Sequence, residues 1–457
     1  MSPLFEYLTN KGLLKGNKVN ESVIAHLQRS AFPEIAEEAT SLTSAQDVSR
    51  ESSIFSHSAS LSLGGGRFPC CSMSCRRERI AQLLQFAAFY SDRVYMKNFL
   101  EDYLRSDEYD TAVEDLRADL YDDLRILLDI YPFIQKGIII PVTTPEFSSP
   151  DKLAVQSFGE NADMRLREQL KSLVSRMVLE TTIQVQKKKT HLCVEVQGPE
   201  ELIEHGSVFH HTKALPPTIR RIPSIVKRLD RGEIVTLTMS QRAHSSEVTY
   251  LAREILGNIV FDMAISQSLH ASFLTERQLH VKILNSLSND QALLNQNSIL
   301  ERHLKAIVPY IEGVSPRELL RLREKEGDSF LLFRNGLSVA LGEAIAKKGQ
   351  LTERDARELF SDIVAPKLAR LDNKVKSARR NLLKGVSSKI GAWVGAITIG
   401  SYIGFLPNDI IHIARTLGLT KVAADILEAA SQLRGRDEEI RQEDFYFLWR
   451  VREISRR

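Results

Sequence analysis

Apolar side chains recur along most of this chain at the three-and-four spacing of an amphipathic helix. Leu4, Phe5 and Leu8, then Val23, Ile24 and Leu27, predict two short helices in residues 1–30. A Ser-rich stretch at 40–66, ending Leu63-Gly64-Gly65-Gly66, reads as a loop or irregular strand. The helical spacing returns from Arg76 through IAQLLQFAAFYSDRVYMKNFLEDYL. A second long helix is predicted from about Asp110 to Gln135, carried by Leu116, Leu120, Leu124, Leu127 and Leu128.

The period changes in the middle of the chain. GIIIPVTTP is a short β-branched run closed by prolines, the pattern of an isolated or edge strand. TTIQVQ and HLCVEV alternate on a two-residue period around KKKT and predict a β-hairpin, with EIVTLTM (233–239) as a further strand. From Ser245 onward nearly every segment reads as helix. The clearest start is Ser315-Pro316-Arg317-Glu318, with an N-cap hydroxyl, proline in the first turn and a glutamate placed for a capping box. The expected fold is mainly α: a helical C-terminal region, with a small β-hairpin or sheet element in residues 137–240, α+β overall. The expected domains are 1–66 (N-terminal helices and Ser-rich loop), 67–240 (mixed α+β) and 241–457 (all-helical).

LQFAAFYSDRVYMKNFL, HASFLTERQLHVKILNSL and VPYIEGVSPRELLRLREKEGDSFLLFRNGL resemble segments of long, uncharacterised bacterial proteins over roughly residues 60–340. The resemblance implies a bacterial, cytosolic, mostly helical protein and brings no activity with it.

Composition changes the picture mainly by exclusion. An apolar fraction of 43% and a charged fraction of 26% suit a folded chain, and 457 residues suffice for two or three cores. The net charge of +3 gives no whole-chain drive toward nucleic acid or anionic lipid. MSPLFEYLTNKGLLKGNK has no apolar signal-peptide core, so a cytoplasmic location is expected. Four cysteines are too few for a disulfide framework at this length. GxxxxGK[ST], HExxH, GxSxG and a GxGxxG after a strand are all missing. No cofactor is implied by these motifs.

The candidate chemistry is local. Cys70, Cys71 and Cys75 put three thiols within six residues beside Arg76 and Arg77, where positive charge favours thiolate and zinc binding. The spacing fits no common zinc module, and buried structural cysteines are the competing reading. His57, or His191 and Cys193 on the hairpin, would have to complete such a site through the fold. His205, His210 and His211 lie nearby in sequence, but adjacent strand positions point to opposite faces. Asp151 with Glu195 and Gln197 loosely resembles a Mg²⁺-dependent nuclease pattern, with Gln in place of the usual Lys.

Charge is segregated. Residues 101–129 carry eleven acids, among them Asp115, Asp119 and Asp122 on one helix face; a solvated face and docking onto a basic helix are both open. The basic pieces KKK (187–189) and Lys213 to Arg231 can track a phosphate backbone. Val364, Leu368, Leu371, Val375, Ala378 and Leu382 form a heptad seam, with Lys367, Arg370, Lys374, Arg380 and Lys384 mostly on its other faces. Ile390–Leu406 follows, uncharged, with Gly391, Gly395, Gly400 and Gly404. As a helix it is about 26 Å long, short for a hydrocarbon core of about 30 Å. Its glycines suit close packing either in a soluble core or in a bilayer.

The leading expectation is a non-enzymatic interaction or regulatory protein. It would work through helical assembly surfaces around 315–390, with a protein partner or a second copy. Two alternatives remain. One is a membrane-acting, defence- or toxin-like effector using the basic helix and the glycine-rich segment. The other is a metal-dependent enzyme or nuclease, with zinc as the metal the thiols would hold.

Overall fold

The computed structural model describes residues 2–43, 55–68, 72–106, 112–143, 154–155, 157–187, 192–203, 206–212, 220–243, 246–275, 277–287, 314–336, 365–371, 373, 442–443 and 446–455. The chain divides into two compact units, Met1–Glu301 and Arg302–Arg457. Helices predominate among the described elements, beside two four-stranded sheets in the first unit.

The first unit opens with α1 (Pro3–Asn10), a two-residue ribbon of β1 (Leu14–Lys15) and β2 (Lys18–Val19), α2 (Glu21–Ile24) and α3 (Ala31–Ser41). Leu4, Phe5 and Leu8 are buried, as their spacing requires. There follow β3 (Ser56–Ala59), α4 (Met73–Phe89), β4 (Arg93–Lys97), a 3-10 turn at Phe99–Tyr103, α5 (Val113–Gln135) and β5 (Ile139–Val142). These strands build a wholly parallel sheet in the order β10-β3-β4-β5, completed by β10 (Ser272–Leu274).

This sheet departs from the sequence expectation in three places. The helix expected to continue past Phe89 stops there, and Val94, Tyr95 and Met96 become the buried middle of β4. A strand covered on both faces has no two-residue period, so it resembles a stretch of buried helix. Residues 56–59 form a buried strand of polar composition, SHSA, in which His57 Nδ1 lies 2.7 Å from Ser91 Oγ. Residues 241–457 are not all helix, since β10 falls among them. Three residues are too short a run to show a period.

Between β5 and β10 the chain makes α6 (Ala162–Glu180), β6 (Thr182–Lys187), β7 (Leu192–Gln197), β8 (Ser207–Thr212), α7 (Pro223–Asp230), β9 (Ile234–Thr236), α8 (Met239–Ala243) and α9 (Ser246–Ser268). The hairpin forms where expected, and the sheet is antiparallel in the order β8-β7-β6-β9. Ile183 faces Val196, and Val185 faces both Val194 and Val235, so one face is a buried β-branched layer. Burying each such side chain stabilises by about 1.5–3 kcal/mol.

Helix α9 joins the two sheets. Val248, Leu251, Ala252, Ile255 and Leu256 belong to the core of the antiparallel sheet. Ile265 and Leu269, at and just beyond its other end, pack with Tyr95 of β4 and Val142 of β5. At 23 residues it runs about 34 Å, long enough to serve both. The boundary expected near residue 241 therefore falls inside one compact unit. Helix α10 (Gln278–Leu287) closes this unit's described elements.

In the second unit, α11 (Pro316–Lys325) starts with the expected capping box. Glu318 N–H donates to Ser315 Oγ at 3.3 Å, and Ser315 N–H donates to Glu318 Oε2 at 3.0 Å. A helix at 327–336 places Phe330 and Phe333 against Phe447 of α12 (Tyr446–Ser455), with ring centroids 5.2 and 5.8 Å apart.

Candidate functional site

Open parallel sheets ordinarily hold ligands outside the carboxyl ends of their strands, where the strand order reverses. Here that point lies between β3 and β10, because β4 and β5 step away on one side of β3 and β10 returns on the other. The loop leaving β3 is the glycine-rich Ser60–Arg67.

The loop is turned on itself. Gly64 N–H donates to Ser60 O at 2.8 Å, Gly65 N–H to Ser62 O at 2.9 Å and Gly66 N–H to Leu61 O at 2.8 Å. Leu63 N–H donates to Ser60 Oγ at 3.2 Å, and Leu61 N–H to Oδ2 of Asp262, on α9, at 3.0 Å. A phosphate cradle works by aiming unspent backbone N–H groups at the ligand. These five are spent inside the chain. Gly65 needs its left-handed φ of +85°, and a Cβ on Gly66 would lie 2.6 Å from Leu61 O.

Below the loop sits a buried charge network. Arg76 Nε donates to Gly65 O at 2.7 Å and Arg79 donates to Gly66 O at 2.8 Å. Asp123 of α5 receives Arg76 on one oxygen, and Arg67 with the Tyr103 hydroxyl on the other. Arg67 also reaches Asp119 Oδ2 at 2.8 Å and stacks over the Tyr103 ring at 5.1 Å. Arg76 and Asp123 are each 1% exposed. Burial and the Asp123 charge push the Tyr103 hydroxyl well above its usual range. Burial also raises the Asp119 carboxyl, against the pull of Arg67. Burial alone would lower Arg67, but Asp123, Tyr103 and Asp119 raise it. This arrangement locks loop, α4, α5 and the 3-10 turn together.

The neighbouring strand ends are closed too. Asn98, just past β4, donates to Thr43 Oγ1 at 2.9 Å and accepts from Leu100 N–H at 3.1 Å. Thr43 and Thr143 hydroxyls meet at 2.7 Å, bringing the end of α3 over β5.

The antiparallel sheet is arranged differently. Its outer positions Thr182, Gln184, Gln186, Cys193, Glu195 and Gln197 are polar and half-exposed. Glu195 Oε1 accepts from Gln197 at 2.7 Å and from Ser207 at 2.8 Å. Strand β9 is an edge, and Ile234 and Thr236 on it are exposed. One end of the sheet carries Glu180, Glu200 and Glu201, with Arg176 and Lys282 paired to Glu201. Those partners hold the Glu201 carboxyl below its ordinary range, chiefly through the Lys282 hydrogen bond. The other end carries Lys187, the last residue of β6, and α7 with its flanking arginines.

The expected site residues are dispersed. Cys75 is half-buried in the first turn of α4, and Cys193 lies on β7 in register with Gln186 and His211. Cys70, Cys71, His191, His205 and Asp151 lie outside the described residues. His57 is fully buried among Phe86, Tyr90 and Ser91. Among the described residues, no three His, Cys, Asp or Glu side chains gather to hold a metal ion. Leu368 and Leu371 of the heptad seam are buried, Lys367 is half-buried and Arg370 exposed. Lys374, Arg380, Lys384, Gly391, Gly395, Gly400 and Gly404 lie outside the described residues. Among the described residues, no helix is long and apolar enough to cross a membrane.

Of the acids of α5, Asp119 meets Arg67, Asp123 meets Arg67 and Arg76, and Asp129 meets Arg77 at 2.9 Å. Sequence reasoning grouped Asp115, Asp119 and Asp122 as a face and missed Asp123, the buried one. The available signal was Arg67 directly after three glycines, followed by Arg76, Arg77 and Arg79. Compared with known proteins, the chain matches no family model, no curated protein and no solved structure.

Proposed function

We propose that the protein is a non-enzymatic interaction or regulatory protein whose partner surface is the antiparallel sheet of the first unit. The observation that carries this reading is the half-exposed polar face of that sheet, bounded by the short exposed edge strand β9. The parallel sheet supports it by contrast, since its switch point is taken up by a loop whose donors are spent internally. Within the surface first expected around 315–390, Leu368 and Leu371 are buried.

A photo-crosslinking amino acid placed at Thr236 tests the reading against the same group at Lys136, exposed after α5. Crosslinks to a second copy or to another macromolecule in host extract are expected from Thr236 and not from Lys136. A strict monomer by light scattering, with no crosslink from Thr236, overturns it.

A further inference from the structure

Lys187 and the basic residues of 220–231, more than thirty residues apart in sequence, meet at one end of the antiparallel sheet. The strand register fixes which end: Lys187 of β6 pairs with Leu192 of β7, which pairs with Thr212 of β8, while Gln186 pairs with Ile234 of β9. Lys187 at the end of β6 and Arg231 just before β9 therefore lie on the same side of the sheet. Helix α7 lies against this end. Ile225 and Leu229 are buried, and Lys187 Nζ lies 2.5 Å from Asp230 Oδ1.

The outward side is basic. Lys187, Arg220, Arg221, Lys227, Arg228 and Arg231 are exposed, against two acids, Asp230 and Glu233. Both acids are already engaged: Asp230 by Lys187, and Glu233 by Arg228 and Arg231 at 2.8 Å each. The Arg228 hydrogen bond leads in holding the Glu233 carboxyl below its usual range. Exposed pairs of this kind are weak and screened by salt, so they yield to a polyanion.

We propose that this end of the sheet binds the phosphate backbone of a nucleic acid. The inference rests on the interaction reading above and names one partner of that surface. Four of the six exposed bases are arginines, whose planar forks match phosphate oxygens two at a time. A bilayer would require an apolar face beside the charge. Along residues 220–234, Ile234 is the exposed large apolar side chain. With no groove-reading element at this end among the described residues, the contact is to backbone and carries no base sequence preference.

The test is fluorescence anisotropy with labelled single- and double-stranded DNA and RNA of mixed sequence, using the full chain at 50 and 200 mM salt. Four phosphate contacts imply that affinity falls about 100-fold or more over that range. Reversing Arg220, Arg221, Lys227 and Arg228 to Glu should abolish binding. Reversing Lys15 and Lys18, exposed on the β1–β2 ribbon, should leave it nearly intact. Changing Arg220, Arg221 and Arg228 to Lys should retain most of the affinity with the salt slope preserved, which separates charge from misfolding. The proposal is overturned if the wild-type chain binds no nucleic acid at 50 mM salt. It is equally overturned if the Glu variants bind as before, or if phosphatidylserine vesicles alone show reversal-sensitive binding. Loss of nucleic-acid binding in the Glu variants with Thr236 crosslinks to protein unchanged separates this inference from the broader reading.

Discussion

The two sheets of the first unit lean on one helix and spend their polar groups in opposite ways. The parallel sheet turns its polar groups inward: Asp123 bonds Arg76, Asn98 bonds Thr43 and Leu100, and five glycine-loop amides are spent within the chain. The antiparallel sheet keeps its apolar residues on one face and leaves polar and charged groups half-exposed on the other. A fold's usual ligand position is therefore a poor guide when its donors are already engaged. The count of unspent hydrogen-bonding groups is the better one.

The contrast can be broken most directly at Asp123. Asp123→Ala leaves Arg76 buried without its carboxylate and should cost about 3–5 kcal/mol in urea unfolding. A loss below 1 kcal/mol would show that the network does not hold the loop. Next in size is Gly66→Ala, whose Cβ would press on Leu61 O, with an expected loss of about 1–3 kcal/mol by thermal or urea melting.

A third effect depends on pH. His280 is buried, with Nδ1 2.9 Å from Thr275 Oγ1, and burial followed by the Arg277 charge sets its pKa well below the ordinary histidine value. The folded chain keeps this ring neutral while the unfolded chain protonates it. Stability should thus be full above about pH 6.5 and fall as pH drops below it, by up to about 1.4 kcal/mol per pH unit. Urea midpoints at pH 7.5 and 5.5, in the wild type and in His280→Gln, check this. The variant should lack the His280 share of the slope.

Smaller still, and opposite in sign, Gly257→Ala in α9 meets nothing within 4 Å and should stabilise by up to about 1 kcal/mol. At the basic end of the antiparallel sheet, Lys227→Ala should move stability by no more than about 0.5 kcal/mol. Equal losses at Asp123 and Lys227 would erase the distinction between an internally committed region and an exposed one.

What the sequence revealed follows the same division. The antiparallel hairpin was legible because Ile183, Val185, Val194 and Val196 alternate with polar neighbours, which only a one-sided sheet demands. The capping box at Ser315 was legible because it is a local bargain between residues three apart. Strand β4 was not, since burial on both faces removes alternation, and β3 hid behind polar residues whose partners lie far along the chain. The charge hub escaped for a similar reason: Arg67, Arg76, Tyr103 and Asp123 sit on four separate segments. The bases of this end were visible in sequence, but only strand register brings Lys187 and Arg231 to one side.

The place of β10 has a consequence for synthesis. The parallel sheet is complete only when Ser272–Leu274 pair with β3, yet β3, β4 and β5 are made first. The entire antiparallel half is translated in between. At ordinary elongation rates that interval lasts on the order of ten seconds. Throughout it, the nascent chain carries β3 paired to β4 on one side and open on the other, the kind of edge that recruits other chains. Fragments ending before Ser272 should therefore aggregate, and those extending past Leu274 should remain in solution.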